Sequence, residues 1–216
     1  MGLRFERTAG SKRFSVEGKK VTVQIDEQVF HANALIVTAG AWSKDLREML
    51  GLELPLTPTR KTFAWFDADE ALYNDTKFPA FAFETKQGIY YGFPSIEGAG
   101  LKVGRHDGGV PINPDSTIEK FGGMPDDQAD LVQFLNQYIP KVGELNYGKT
   151  CMYTVTPDEK FIIDLHPKHE NVAIATGFSG HGFKFSSAVG QALSNLISLG
   201  KHDIDLSPFS IQRFHK

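Results

Sequence analysis

Two short apolar runs restrict the fold more than any other feature, because neither alternates with polar residues and each ends at a glycine. Residues 32–43 read ANALIVTAGAWS and residues 171–177 read NVAIATG. A strand with one wet face alternates; an unbroken apolar strand is covered on both faces, as in parallel sheets beneath helices. Each run is followed by helical text. After the first comes SKDLREML, with Ser43 as N-cap and Gly51 as stop; after the second comes FSSAVGQALSNLISLG. The two runs are far apart in sequence but alike in kind, so the two ends of the chain are expected to form one layered α/β unit.

The text between them is of another type. KTFAWFDA, FPAFAFET, GIYYGFPS and GLKVGRHD, within residues 61–107, read as strands, the last two joined as a hairpin by the glycine-bearing gap SIEGAG. Residues 12–31 alternate around EGKK as a hairpin or short meander, and 125–139 form an amphipathic helix with Asp126 or Asp127 near its start. YGKTCMYTVT (147–156) and KFIIDL (160–165) are further strands, and the proline-rich LELPLTPTR marks a domain crossing. The fold class is α+β: a mostly antiparallel or mixed sheet flanked by strands and a helix of an α/β domain, divided at 1–50, 51–150 and 151–216.

Composition excludes several function classes. The 216 residues carry 23 basic and 26 acidic side chains, well mixed, with no basic run to suggest nucleic acid. No apolar stretch approaches the roughly 18 residues of a membrane span, and MGLRFERTAG has no signal-peptide core. One cysteine, Cys151, excludes an intrachain disulfide and a multi-cysteine metal site. A soluble, cytoplasmic setting is the expectation.

Three places could carry chemistry. Lys102, Gly104 and His106 are two apart on one strand and share a face, with Tyr90 or Tyr91 beside them depending on register. That face is either solvated or the floor of a ligand site. Cys151 and Tyr153 share a face of another strand; the cysteine is either a small buried hydrophobe or a thiolate able to bond covalently. In ATGFSGHGFKF (175–185), Gly177, Gly180 and Gly182 strip the strand-to-helix junction of bulk, while His181 and Lys184 suit an anion or an electron-rich ring edge. His166 and His169, spaced like ligands but lacking a third partner, read as surface residues of a turn.

These segments together carry a resemblance. LIVTAGAW, GIYYGFPS, GLKVGRH, TCMYTVTPDEKFIIDLHP and VAIATGFSGHGFKFSSAVGQAL are similar, in order, to the monomeric sarcosine oxidase and N-methyltryptophan oxidase family of flavoproteins, within the D-amino-acid oxidase superfamily. The resemblance is closest to the bacterial sarcosine oxidase branch. It implies that residues 1–50 and the C-terminal segment belong to an FAD domain, with the intervening sheet as substrate domain. It implies that Cys151 carries FAD through a thioether and that Lys102 promotes reaction with oxygen. His106, Tyr91 and Tyr153 would surround the bound amine, and Lys184 would hold the substrate carboxylate. Gly177, Phe178, Ser179, Gly180, His181, Gly182 and Lys184 would lie along the flavin. The activity implied is oxidation of an N-methyl amino acid, sarcosine first and N-methyltryptophan or another secondary amino acid as alternatives, to the demethylated product, formaldehyde and hydrogen peroxide. A cation at about 5 Å and an effective dielectric near 20 stabilises developing negative charge by roughly 3 kcal/mol, a little over two decades in rate.

One element of the family is missing from the text: the βαβ unit with G-x-G-x-x-G that cradles the FAD pyrophosphate. The chain alone is therefore expected to be inactive or weak and to expose an apolar edge near LIVTAGAW. It is expected to self-associate or to need the missing half in trans. The competing expectation is a remnant or subunit without flavin that acts only through a partner.

Overall fold

The computed structural model describes residues 12–46 and 50–214. In chain order, β1 (Lys12–Glu17), β2 (Lys20–Ile25), β3 (Gln28–Ala32) and β4 (Leu35–Val37) precede a 3-10 turn at Gly40–Asp45. Then come β5 (Thr57–Ala68), the one-turn helix α1 (Glu70–Tyr73), β6 (Phe81–Glu84), β7 (Ile89–Phe93), β8 (Leu101–Arg105) and β9 (Val110–Pro111). Helix α2 (Asp126–Tyr138), β10 (Val142–Val155), β11 (Ile162–His166), β12 (His169–Thr176) and α3 (Ser186–Leu199) follow, with a 3-10 turn at Phe183–Phe185 just before α3. The architecture is α+β, with antiparallel and mixed sheets, and it divides into two compact units. One combines the two ends of the chain, up to Thr57 and from Thr154; the other is Pro58–Tyr153.

In the unit made of the chain ends, β4 lies parallel to β12, Leu35 against Val172 and Val37 against Ile174, while β11 pairs antiparallel on the other side of β12. Strand β12 is covered on both faces, as its unbroken apolar text requires. Ala173 and Ala175 pack with Ala192, Leu193 and Leu196 of α3, whereas Val172 and Ile174 join Val37, Leu46, Leu52 and Ile211 on the far side. Small residues face the helix, which lets it approach closely. Strand β4 departs from two-sided burial: Val37 is buried but Ile36 is 43% exposed, the helix packing mainly on β12. Trp42 is equally exposed, so apolar surface is open near LIVTAGAW.

Residues 12–32 form an antiparallel meander, β1-β2-β3, with its second turn at Asp26 in the left-handed region (φ 53°). Ser43 is not a helix cap. It sits inside the 3-10 turn whose N-cap is Ala39, and it is buried; residues 47–49 of SKDLREML lie outside the described residues.

The Pro58–Tyr153 unit is a sheet ordered β10-β5-β8-β7-β6, with β9 pairing β5. Alternation assigns its two faces. Ala64, Phe66, Tyr90, Leu101 and Val103 pack under Leu131, Phe134, Leu135 and Ile139. Each such large side chain contributes roughly 1.5–3 kcal/mol when fully buried. Tyr90 stacks on Phe134 with centroids 4.3 Å apart and donates its hydroxyl to Asp130 Oδ1 at 2.7 Å. Burial, then that hydrogen bond, push its pKa up to about 12. Asp127 does more than start the helix. Its carboxylate receives Arg60 Nη1 and Nη2 at 2.7 Å each, and both side chains are almost wholly buried.

Candidate active site

The face of this sheet turned away from α2 carries the candidate site residues. Register fixes which side chains meet. Phe93, Lys102 and Trp65 stand in one cross-strand row, and Tyr91, Gly104 and Phe63 in the next. The open choice between Tyr90 and Tyr91 is thereby resolved: Tyr91 shares the face of Lys102 and His106, while Tyr90 belongs to the core. A Cβ at Gly104 would lie 2.9 Å from the Tyr91 hydroxyl and 3.0 Å from Phe63 Cβ, so only glycine lets Tyr91 fold across β8. The His106 and Tyr153 rings lie 5.8 Å apart, and Tyr91 and Tyr153 are close enough for each to influence the other's titration. The sheet thus brings together Tyr91, Lys102, His106, Cys151 and Tyr153, all within one unit.

The electrostatics follow from burial among aromatics. Lys102 Nζ lies over Phe63 (4.4 Å), Trp65 (5.0 Å) and Phe93 (5.4 Å). Such contacts hold an ammonium in place without neutralising it. Burial pulls its pKa down, Cys151 pulls it up, and the like charge of Lys149 lowers it again. The Cys151 thiol is pushed up by burial while Lys61 and Lys102 draw it down. Tyr91 and Tyr153 are both raised, first by burial, so both are neutral hydrogen-bonding groups at physiological pH.

Lys61, Phe63 and Trp65 belong to the site and were not singled out from the sequence. The signal was present, since the alternation of RKTFAWF sets these three opposite Arg60, Ala64 and Phe66. Trp65 also stacks on Tyr147 at 4.5 Å, with Lys149 beside both rings.

The glycine turn lies in the other unit. Gly177 (φ 66°) and Gly180 (φ 82°) take left-handed backbone, and so does Ser179 (φ 48°); Gly182 does not. At Gly182 the need is space, because a Cβ would strike the Phe178 ring at 2.6 Å. Ser179 is buried, donating to Gly177 O at 3.2 Å and accepting from Thr156 N at 3.3 Å, so its side chain holds the turn together. The Phe178 and His181 rings pack on Phe161. Lys184 is exposed in the 3-10 turn beside Phe185, and Phe183 is 94% exposed. His166 corrects the surface reading: it is buried, stacked on His169 at 4.7 Å, with Nε2 3.0 Å from Leu50 O and Nδ1 accepting from Lys168 N at 3.1 Å.

Residues 3–196 match the sequence profile of the FAD dependent oxidoreductase family, DAO. The chain belongs to that family. Over 202 residues, 93% of the chain, it is 51% identical to the monomeric sarcosine oxidase of Bacillus sp. (strain NS-129), covering 52% of that protein. It is 42% identical to the N-methyl-L-tryptophan oxidase of Escherichia coli O81 (strain ED1a) over 195 residues, 90% of the chain and 51% of that enzyme. The L-proline dehydrogenase of P. horikoshii has the same fold, with TM-score 0.78 at 21% identity over 97% of the chain and 54% of its own. The chain spans about half the length of these DAO relatives. Among its described residues no helix is long and apolar enough to cross a membrane.

Proposed function

We propose that the chain is the substrate-recognition and flavin-attachment part of an amine oxidase acting on N-methyl amino acids, sarcosine first among them. The observation that carries this reading is one sheet face holding Cys151, Lys102, Tyr91, His106 and Tyr153 together with aromatic rings. Those residue types fit a flavin. Cys151 is a half-buried thiol flanked by cations, and Gly104, Phe63, Trp65 and Phe93 give the face flat, apolar surroundings.

FAD, when bound, would supply the acceptor for the two electrons and hydrogen released when the substrate C–H bond next to nitrogen gives way to a C=N bond, with oxygen as the final acceptor. The residues around it have separable tasks. Cys151 would hold the group through a thioether: its S–H and one ring-methyl C–H would be replaced by an S–C bond, with the two electrons and two protons passing through the flavin ring to oxygen. Lys102, caged by three rings, keeps a positive charge where negative charge grows. Tyr91, Tyr153 and His106 orient the amine through neutral hydrogen bonds and ring faces and exclude water. For Gly177–Gly182 we propose a backbone wall against the cofactor, and for Lys184 a carboxylate partner; the left-handed turn with Gly180 exposed and the exposed Lys184 ammonium support each reading on their own.

The test is an absorbance spectrum of the chain after incubation with FAD, acid denaturation and removal of small molecules. Yellow colour that stays with the protein, and is absent from Cys151→Ala, is the expected result. Flavin that is released on denaturation, or that persists without Cys151, overturns the attachment. The 42% identity to an N-methyl-L-tryptophan oxidase makes that substrate the alternative to include in a hydrogen peroxide assay of the loaded protein.

A further inference from the structure

Lys61 is 5% exposed, a costly position for an ammonium. Its Nζ donates to the carbonyls of Asp107 at 2.6 Å and Gly108 at 2.9 Å, and lies 5.2 Å from the centre of the Tyr153 ring. Both carbonyls belong to the turn that immediately follows His106. That turn is pressed onto the lysine stem: Gly109, at φ 97°, has room for no Cβ, which would stand 2.7 Å from Lys61 Cδ and 2.7 Å from Arg60 O.

The same turn is held from two other sides. The Asp107 carboxylate accepts from Ile89 N at 2.7 Å and from Arg105 Nε and Nη2 at 3.0 and 3.1 Å, and Arg105 reaches Asp130 on α2 at 3.1 Å. His106 itself donates its backbone N–H to Ile89 O at 2.7 Å, one residue beyond the end of β8. Its backbone N–H is therefore fixed by β7, and the turn that Lys61 holds begins at the next residue.

We propose that Lys61 is a positioning residue, locking the Asp107–Gly109 turn so that the His106 ring is held against Tyr153. The proposal rests on the reading of His106 and Tyr153 as substrate contacts, and gives those two rings a common anchor: one ammonium grips the turn behind the histidine and lies over the tyrosine. A lysine kept only to satisfy two carbonyls would leave the ring pair unchanged when a folded variant replaced it.

The experiment reads the rings directly, in the 216-residue chain without cofactor, by proton NMR of the aromatic side chains. In Lys61→Met the cross-peaks between His106 and Tyr153 are lost and the His106 Cε1–H resonance moves. The Tyr90–Phe134 cross-peaks on the opposite face stay, and Lys61→Arg restores the His106 signals. Unchanged His106–Tyr153 cross-peaks in Lys61→Met overturn the proposal. Should that variant not fold, Lys61→Gln is read in its place: weakened cross-peaks uphold the proposal and full-strength ones overturn it. If the chain takes no covalent flavin but shows this dependence on Lys61, the attachment at Cys151 fails and the positioning role stands.

Discussion

The Tyr91 side chain crosses β8 directly over Gly104, its hydroxyl 2.9 Å from where a Cβ would be. The site's geometry thus depends on an absent methyl group. Gly104→Ala forces the tyrosine ring outward and presses Phe63. We expect a loss of about 1–3 kcal/mol in stability, as for other overpacked positions, with Tyr91 displaced from Tyr153. Urea unfolding measures the first and a structure of the variant the second. A variant with parental stability and an unmoved Tyr91 would show that the contact is slack.

The pair Arg60 and Asp127 makes a second prediction. Arg60 is satisfied by the carboxylate and by the carbonyls of Glu119 and Lys120, while Asp127 also accepts from the backbone of Gly122 and Met124. Removing either partner strands a buried charge. Arg60→Met and Asp127→Leu should each cost about 3–5 kcal/mol alone and clearly less than their sum together. Additive losses in a double-mutant cycle would mean that the two do not act as a unit.

Cys151 reports on its two cations without any cofactor. Burial raises the thiol and Lys102 lowers it, so Lys102→Met should raise it further. Alkylation by iodoacetamide then needs a higher pH, and at pH 8 it should slow by about three- to tenfold. An unshifted rate–pH profile contradicts the assigned electrostatics.

His166 makes the fold sensitive to mild acid. Burial, its largest influence, holds its pKa below the ordinary 6.5, and its Nδ1 accepts from Lys168 N, so the folded chain prefers the neutral ring. The stability this contributes is present above the unfolded value near 6.5 and is lost as pH falls through the lower folded value. Urea midpoints should therefore drop between about pH 7 and 5 in the parent and less so in His166→Gln. Parallel profiles would assign the loss to other groups.

The sequence made the sheet faces legible because period-2 alternation is strict: Lys102 and His106 against Leu101 and Val103 could be read straight from GLKVGRH. Two-sided burial of NVAIATG was legible for the opposite reason, because its apolar run is unbroken. What the text hid was pairing. The choice of Tyr91 over Tyr90, and the placing of Lys61 behind His106, depend on which strand lies beside which, and β5 reaches β8 only after β6 and β7 have been laid down. His166 was misjudged because its turn packs against Leu50, a contact between distant residues that local polarity cannot announce.

Strand β8 uses its odd positions for the core under α2 and its even positions for the candidate site. A deletion of one residue between Lys102 and His106 would set these two on opposite faces, sending one of them into the core. Substitution can tune this strand one side chain at a time, but its length cannot drift. Variation in such proteins should therefore appear in β8 as replacements only, with insertions and deletions confined to the turns at its ends.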